Sequence, residues 1–225
     1  MSHISGLPMH SAADPRVGPV GVDVVPSLRD RDRLTTAFRP ILAIPHILLV
    51  GGPAAFGVTM VGAWVTQWSA STGVLGSVAA VCALIAWFAI IFGGEYPAGL
   101  KSLAIYYLRW RVRAIAYLTL LRDEYPPFGD EAYPASLTLN IPDRFSRDRV
   151  TVAFRLLLAL PHIIAVVLLG TAWLLTTLVA WFSILFTGHY PAPLYDFGVG
   201  VLRWSTRVEA YLLLLHDDYP PFSLA

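Results

Sequence analysis

The sequence predicts an all-α membrane protein. Four transmembrane helices form two hairpins in a tandem parallel repeat, with two interfacial amphipathic helices on the cytoplasmic side and a small β-strand pair. Three observations predict it. First, no Asp, Glu, Lys or Arg occurs from Pro40 to Gly94 or from Leu156 to Tyr195. A hydrocarbon core about 30 Å thick needs only ~20 apolar residues in a helix, so each stretch has room for two passes. Second, "FRPILAIPHILLV" from Phe38 returns as "FRLLLALPHIIAV" from Phe154, and the correspondence runs on for most of the chain. Third, all sixteen Lys and Arg lie outside the two uncharged stretches, which by the positive-inside rule places the N-terminus, residues 94–152 and the C-terminus in the cytoplasm.

In chain order, residues 1–18 read as a flexible tail, 19–128 as the first repeat, 129–134 as a linker and 135–225 as the second repeat. The polar, Pro- and Gly-containing N-terminus lacks the basic-then-apolar pattern of a signal peptide, so the first pass is expected to stay as an anchor in the inner (cytoplasmic) membrane. Each repeat opens with a short alternating segment, "VGVDVV" at 20–25 and "SLTLNI" at 136–141, that reads as a strand. The two strands are expected to pair. Membrane passes follow at roughly 38–66 and 73–93, then 153–169 and 171–187, with Gly170 at a tight turn. A Tyr-Pro break leads into a charged helix, about 98–122 and 193–215. Each repeat closes on Asp-x-Tyr-Pro-Pro-Phe, where two prolines stop any helix. The second repeat lacks 22 residues between the halves of its apolar region.

The charged helices carry the first candidate site. Arg109, Arg113 and Tyr117 are spaced to share one face, as are Arg203, Arg207 and Tyr211. Central charges are costly in hydrocarbon, so these helices are expected at the headgroup level. Their arginines would bind anionic lipid or a partner protein, or pair with Asp123/Glu124 and Asp217/Asp218 of the same repeat.

The second candidate is the Arg…Pro-His element. Arg39 and His46 lie seven residues apart on one helix face, as do Arg155 and His162. Pro45 and Pro161 free the carbonyls of Ile41 and Leu157 and kink the helix, and the histidine is expected to satisfy the freed carbonyl or pack on the other repeat. The alternative is that His46 and His162, equivalent about a pseudo-two-fold axis, ligate a haem or a metal.

Several classes are excluded. A net charge of +1 gives no nucleic-acid footprint. No glycine-rich phosphate loop, Cys/His zinc pattern or nucleophile elbow is present, so no enzyme and no cofactor other than that haem alternative is expected.

The repeated string of Phe-Arg…Pro-His, Tyr-Pro, Arg-Trp-x-x-Arg-x-x-Ala-Tyr and Asp-x-Tyr-Pro-Pro-Phe resembles a family of small bacterial, actinobacterial-type integral-membrane proteins known only as a domain of unknown function. The second copy carries it most cleanly: Phe154-Arg155, Pro161-His162, Tyr190-Pro191, Arg203-Trp204, Arg207, Ala210-Tyr211 and Asp217 to Phe222. The first copy departs through its extra residues and through Arg111, where the second has Ser205. The resemblance implies a membrane protein and assigns no catalytic residue. From these residues the chain is expected to be a non-enzymatic scaffold or accessory subunit docking on a larger membrane complex. The alternatives are an anionic-lipid-binding or transport-associated protein and a haem- or metal-binding electron-transfer subunit.

Overall fold

The structure is a computed structural model that describes residues 18–53, 64–129, 131–141 and 148–225, with backbone alone for 64–72. Strand β1 (Val20–Val24) pairs antiparallel with β2 (Ala135–Leu139), Val22 opposite Leu137, so the two repeats are joined by one ribbon as expected. The helices are α1 (Arg33–Leu42), α2 (Ile44–Val50), α3 (Trp64–Gly93), α4 (Ala98–Leu118), α5 (Arg149–Ala153), α6 (Arg155–Thr187) and α7 (Ala192–Leu212).

Local chemistry sets the helix ends, and it repeats. Asp32 caps α1 by accepting from the backbone N–H of Leu34 and Thr35, and Asp148 caps α5 through Val150. Pro97 and Pro191 precede α4 and α7, where a missing N–H costs nothing. After α4 and α7 the chain turns through Leu120 (φ +66°) and Leu214 (φ +61°). A left-handed leucine costs roughly 1–2 kcal/mol, and it recurs at the same place in both repeats.

Four crossings are not what the structure holds. Among the described residues two helices are long and apolar enough to span a membrane, Gly73–Gly93 and Arg155–Thr187; α1 with α2, bent by 43°, is a third at most. The expected turn at Gly170 is absent: α6 runs unbroken for 33 residues, about 50 Å, with Gly170 buried in it. One glycine costs a helix interior only about 1 kcal/mol, and α6 is held on both sides of Gly170 by packing on α7 and, near its end, on α1.

The first repeat makes the same rod in pieces. The 38–66 pass falls partly outside the described residues, but its start is broken at Ala43, just before Pro45. Gly73 (φ +69°) then comes back to where α2 ended. A Cβ on Gly73 would lie 2.5 Å from the Gly51 nitrogen and from the Leu49 carbonyl carbon. The extra residues of the first repeat therefore leave and re-enter at one point, and α2 with residues 73–93 stands where the second repeat has α6.

A pseudo-two-fold axis relates the repeats. Helices α4 and α7 run antiparallel: Tyr107 and Arg111 meet Glu209, while Arg122 and Tyr195 both donate to the Val25 carbonyl. Across the axis, Trp181 Nε1 donates to the Thr36 carbonyl and Trp87 Nε1 to the Val152 carbonyl, both at 2.9 Å. Each repeat's first helix thus packs on the other repeat's long helix. The core lies between ribbon, α4, α7 and the long helices.

Candidate functional site

The repeated motif residues converge within each repeat, and in the same way twice. Arg39 is buried, 1 % exposed. Its Nη1 donates to the carbonyls of Tyr117 (3.0 Å) and Arg122, its Nη2 to Asp123 at 2.7 Å, and its guanidinium lies 4.4 Å from the Tyr117 ring centre. Arg155 does the same: Nη1 to the carbonyls of Tyr211 (3.0 Å) and His216 (2.9 Å), Nη2 to Asp217, and 4.3 Å from the Tyr211 ring. The left-handed leucines explain the geometry, because they turn the carbonyls that follow each helix toward the arginine. Arg31 adds a second hold on the first tail, donating from Nε to Asp123 at 2.7 Å and from Nη2 to the Leu120 carbonyl. Burial alone would raise the Asp123 carboxyl. The hydrogen bonds and charges of Arg31 and Arg39 outweigh it and hold the group below its ordinary value.

The histidines complete the two latches. Trp110 Nε1 donates to His46 Nδ1 and Trp204 Nε1 to His162 Nδ1, each at 3.2 Å. The rings stack on the closing phenylalanines, His46 on Phe128 at 4.7 Å and His162 on Phe222 at 3.9 Å, with Tyr125 and Tyr219 beside them. The expected pairing of histidine with the freed Ile41 or Leu157 carbonyl is replaced by this indole contact. An indole is only a donor, so each neutral imidazole accepts at Nδ1 and carries its proton on Nε2. Each histidine is surrounded by rings of its own repeat, and among the described residues no group of three or more His, Cys, Asp or Glu is placed to hold an ion.

The other expected site residues do not form one face. Arg109 is exposed and makes no hydrogen bond or ion pair among the described residues. Arg113 donates to the Gly129 carbonyl, and Arg207 to those of Ser223 and Ala225. Arg203 donates to the Val22 carbonyl of β1 at 3.0 Å. Tyr117 and Tyr211 are buried under Arg39 and Arg155. These helix arginines do hold the closing tails and the ribbon, chiefly through carbonyls, with Arg203 also 4.0 Å from the Asp23 carboxylate. The acids are taken by Arg31, Arg39, Arg122 and Arg155.

Sequence reasoning missed one further arrangement, which crosses between repeats. Arg111 Nε donates to Glu209 Oε2 at 2.8 Å, and Tyr107 donates to Oε1 at 2.7 Å. Arg111 also donates to the carbonyls of Val50 (2.5 Å) and Gly52 (3.1 Å), where α2 ends. The bridge is asymmetric: Ser205 stands opposite Arg111 in the second repeat, and Ile115 opposite Glu209 in the first. The departures from the repeat were its only sequence signal. A small pocket beside it is lined by Pro53, Trp173, Ser205 and Thr206.

Chemically, these groups hold chain against chain. Every buried arginine in them is neutralised by a carboxylate or engaged by carbonyls.

A family model described as "Domain of unknown function (DUF4389)" matches residues 57–129 and again 149–223. The first match starts after Arg39 and His46, although the structure gives those residues the same roles as Arg155 and His162, which lie inside the second. No curated protein and no solved structure matches the chain. The two matches together cover more than half of the sequence in tandem, and the chain belongs to this family, for which no activity is described.

Proposed function

We propose that the chain is a non-enzymatic membrane scaffold or accessory subunit that docks on a larger complex in the inner membrane, with its termini on the cytoplasmic side. The observation that carries this reading is how the motif residues are used. Arg39, Arg155, His46, His162 and the Asp-x-Tyr-Pro-Pro-Phe tails hold the molecule's own backbone, while the outward faces of α1, α3 and α6 are apolar. Such a surface offers packing to lipid and to other membrane helices, and it carries no reactive group. Native mass spectrometry of the protein extracted gently from its own membrane tests this. The expected spectrum shows a defined complex of this chain with other polypeptides. A spectrum of the 24.7 kDa chain alone would refute it.

A second reading rests on Arg109, exposed and without a protein partner among the described residues, with Arg203 at the equivalent place. Arg109 suits an anionic lipid headgroup, and Arg203, partly exposed, would have to share its contacts with Val22 and Asp23. Arg109→Ala with Arg203→Ala would then weaken retention of anionic lipid, and unchanged retention would remove this reading.

A further inference from the structure

We propose that the protein lies in one leaflet of a bilayer, with its described helices along the membrane plane and none of them crossing it. This goes beyond the accessory-subunit reading and does not rest on it.

The argument begins at the ribbon. Two antiparallel strands have their local two-fold perpendicular to the ribbon face, here between Val22 and Leu137. Helix α7 packs on β1 and α4 on β2. Contacts reach the ribbon both from the middle of α7, through Arg203, and from near its start, through Tyr195. The two helices therefore lie flat under the ribbon, antiparallel, with their axes across the two-fold.

The long helices follow. Helix α6 runs antiparallel along α7: Trp173 abuts Gly198, His162 meets Trp204, and Arg155 meets Tyr211 and Asp217. It lies on the far side of α7 from the ribbon. Tyr195 and Arg203 reach β1, whereas Trp204 and Val208, about half a turn round, pack with Val166 of α6. By the same symmetry α3 lies on α4. The order is ribbon, then α4 with α7, then α3 with α6.

In this arrangement α3 and α6 point in opposite directions. If they crossed a bilayer, the two-fold would lie in the membrane plane. The ribbon sits on that axis and would be held at mid-depth, with its strand edges open, the Asp23 side chain 89 % exposed despite Arg203 at 4.0 Å, and Arg109 exposed beside its layer. Open strand edges do not occur in lipid-exposed hydrocarbon, and exposed charges there are rare and costly. Turning the two-fold along the membrane normal removes the conflict. The ribbon then faces water, and the exposed stripes of α3 (Val81, Phe88, Phe92) and α6 (Leu175, Phe182, Phe186) face lipid. Those stripes lie opposite the buried ones along each helix. A layer of helices about 10 Å thick fits within the ~15 Å of one leaflet's hydrocarbon. Exposed Arg33 and Arg149, at the starts of α1 and α5, are each followed directly by an exposed apolar residue, as at a headgroup boundary.

The test uses the two ends of the α6–α7 pair. His189 and Asp218 are both exposed, at opposite ends. His189→Cys and Asp218→Cys are made separately and probed with a membrane-impermeant maleimide in sealed vesicles of each orientation. The unsubstituted chain, whose single thiol Cys82 is buried, is the blank. Labelling of both sites from the same face, at comparable extent, is expected. Labelling from opposite faces, or of neither site from either face, would overturn the proposal.

Discussion

Replacing Glu209 with Gln isolates the bridge between the repeats. The change keeps shape and removes charge. Glu209 receives two hydrogen bonds, from Arg111 at 2.8 Å and Tyr107 at 2.7 Å, and an amide can accept only one while it presents N–H to the other donor. Two hydrogen bonds to a charged group are worth about 3–6 kcal/mol together. Removing one member of a buried ion pair costs about 3–5 kcal/mol by a separate route. The Arg111 and Glu209 side chains are 11 % and 22 % exposed, so solvent screens the pair little and the loss should fall within that second range. For a chain of this size it lowers Tm by about 6–20 °C. The assay is thermal unfolding in detergent, run as a cycle of Glu209→Gln, Arg111→Met and the double variant. The double variant should lose less than the sum of the singles, because no charge is left buried alone. It should still lose something, because Arg111 also engages the Val50 and Gly52 carbonyls. Single losses that add to within about 0.5 kcal/mol would refute the coupling. A Tm change under about 2 °C for Glu209→Gln would refute the stabilising role itself.

Three further outcomes follow from the same contacts. Arg39→Gln and Arg155→Gln should free the closing tails, read as faster amide hydrogen exchange confined first to 123–129 and 217–225 respectively; exchange that rises equally everywhere would contradict a latch. Asp123, held below its ordinary value in the folded state, contributes stability that is fully present above the unfolded carboxylate range and is lost as pH falls through the folded value. Acidification below about 4 should therefore destabilise the protein, and Asp123→Asn should show a smaller loss over that window in unfolding curves taken across pH. Gly73→Ala should destabilise by at least about 1–3 kcal/mol in denaturant titration, since it places a Cβ against Leu49 and Gly51 at a left-handed φ; Gly93→Ala, with open space around it, is the control.

Much of the architecture was legible because duplication acts as an internal alignment. Strand pairing, the Tyr-Pro breaks, the charged helices and the closing Pro-Pro all recur at fixed offsets, and the structure has the strand pair and a helix at each charged segment. The number of passes was misread at Gly170. A single glycine in an apolar run resembles a hairpin turn, and only the packing of α6 on α7 decides that the helix continues. The site was half legible. That Arg39, His46 and their counterparts matter followed from their recurrence; that each meets its own tail depended on the left-handed turns at Leu120 and Leu214, which nothing in a leucine announces. The Arg111–Glu209 bridge was hidden because it uses residues that break the repeat.

The orientation of the helices is the central claim, and polarised infrared spectroscopy of the protein in aligned bilayers measures it directly. The amide I dichroism is expected to report helix axes lying close to the membrane plane, for the long apolar helices as well as for α4 and α7. Dichroism reporting the long helices close to the membrane normal would contradict it.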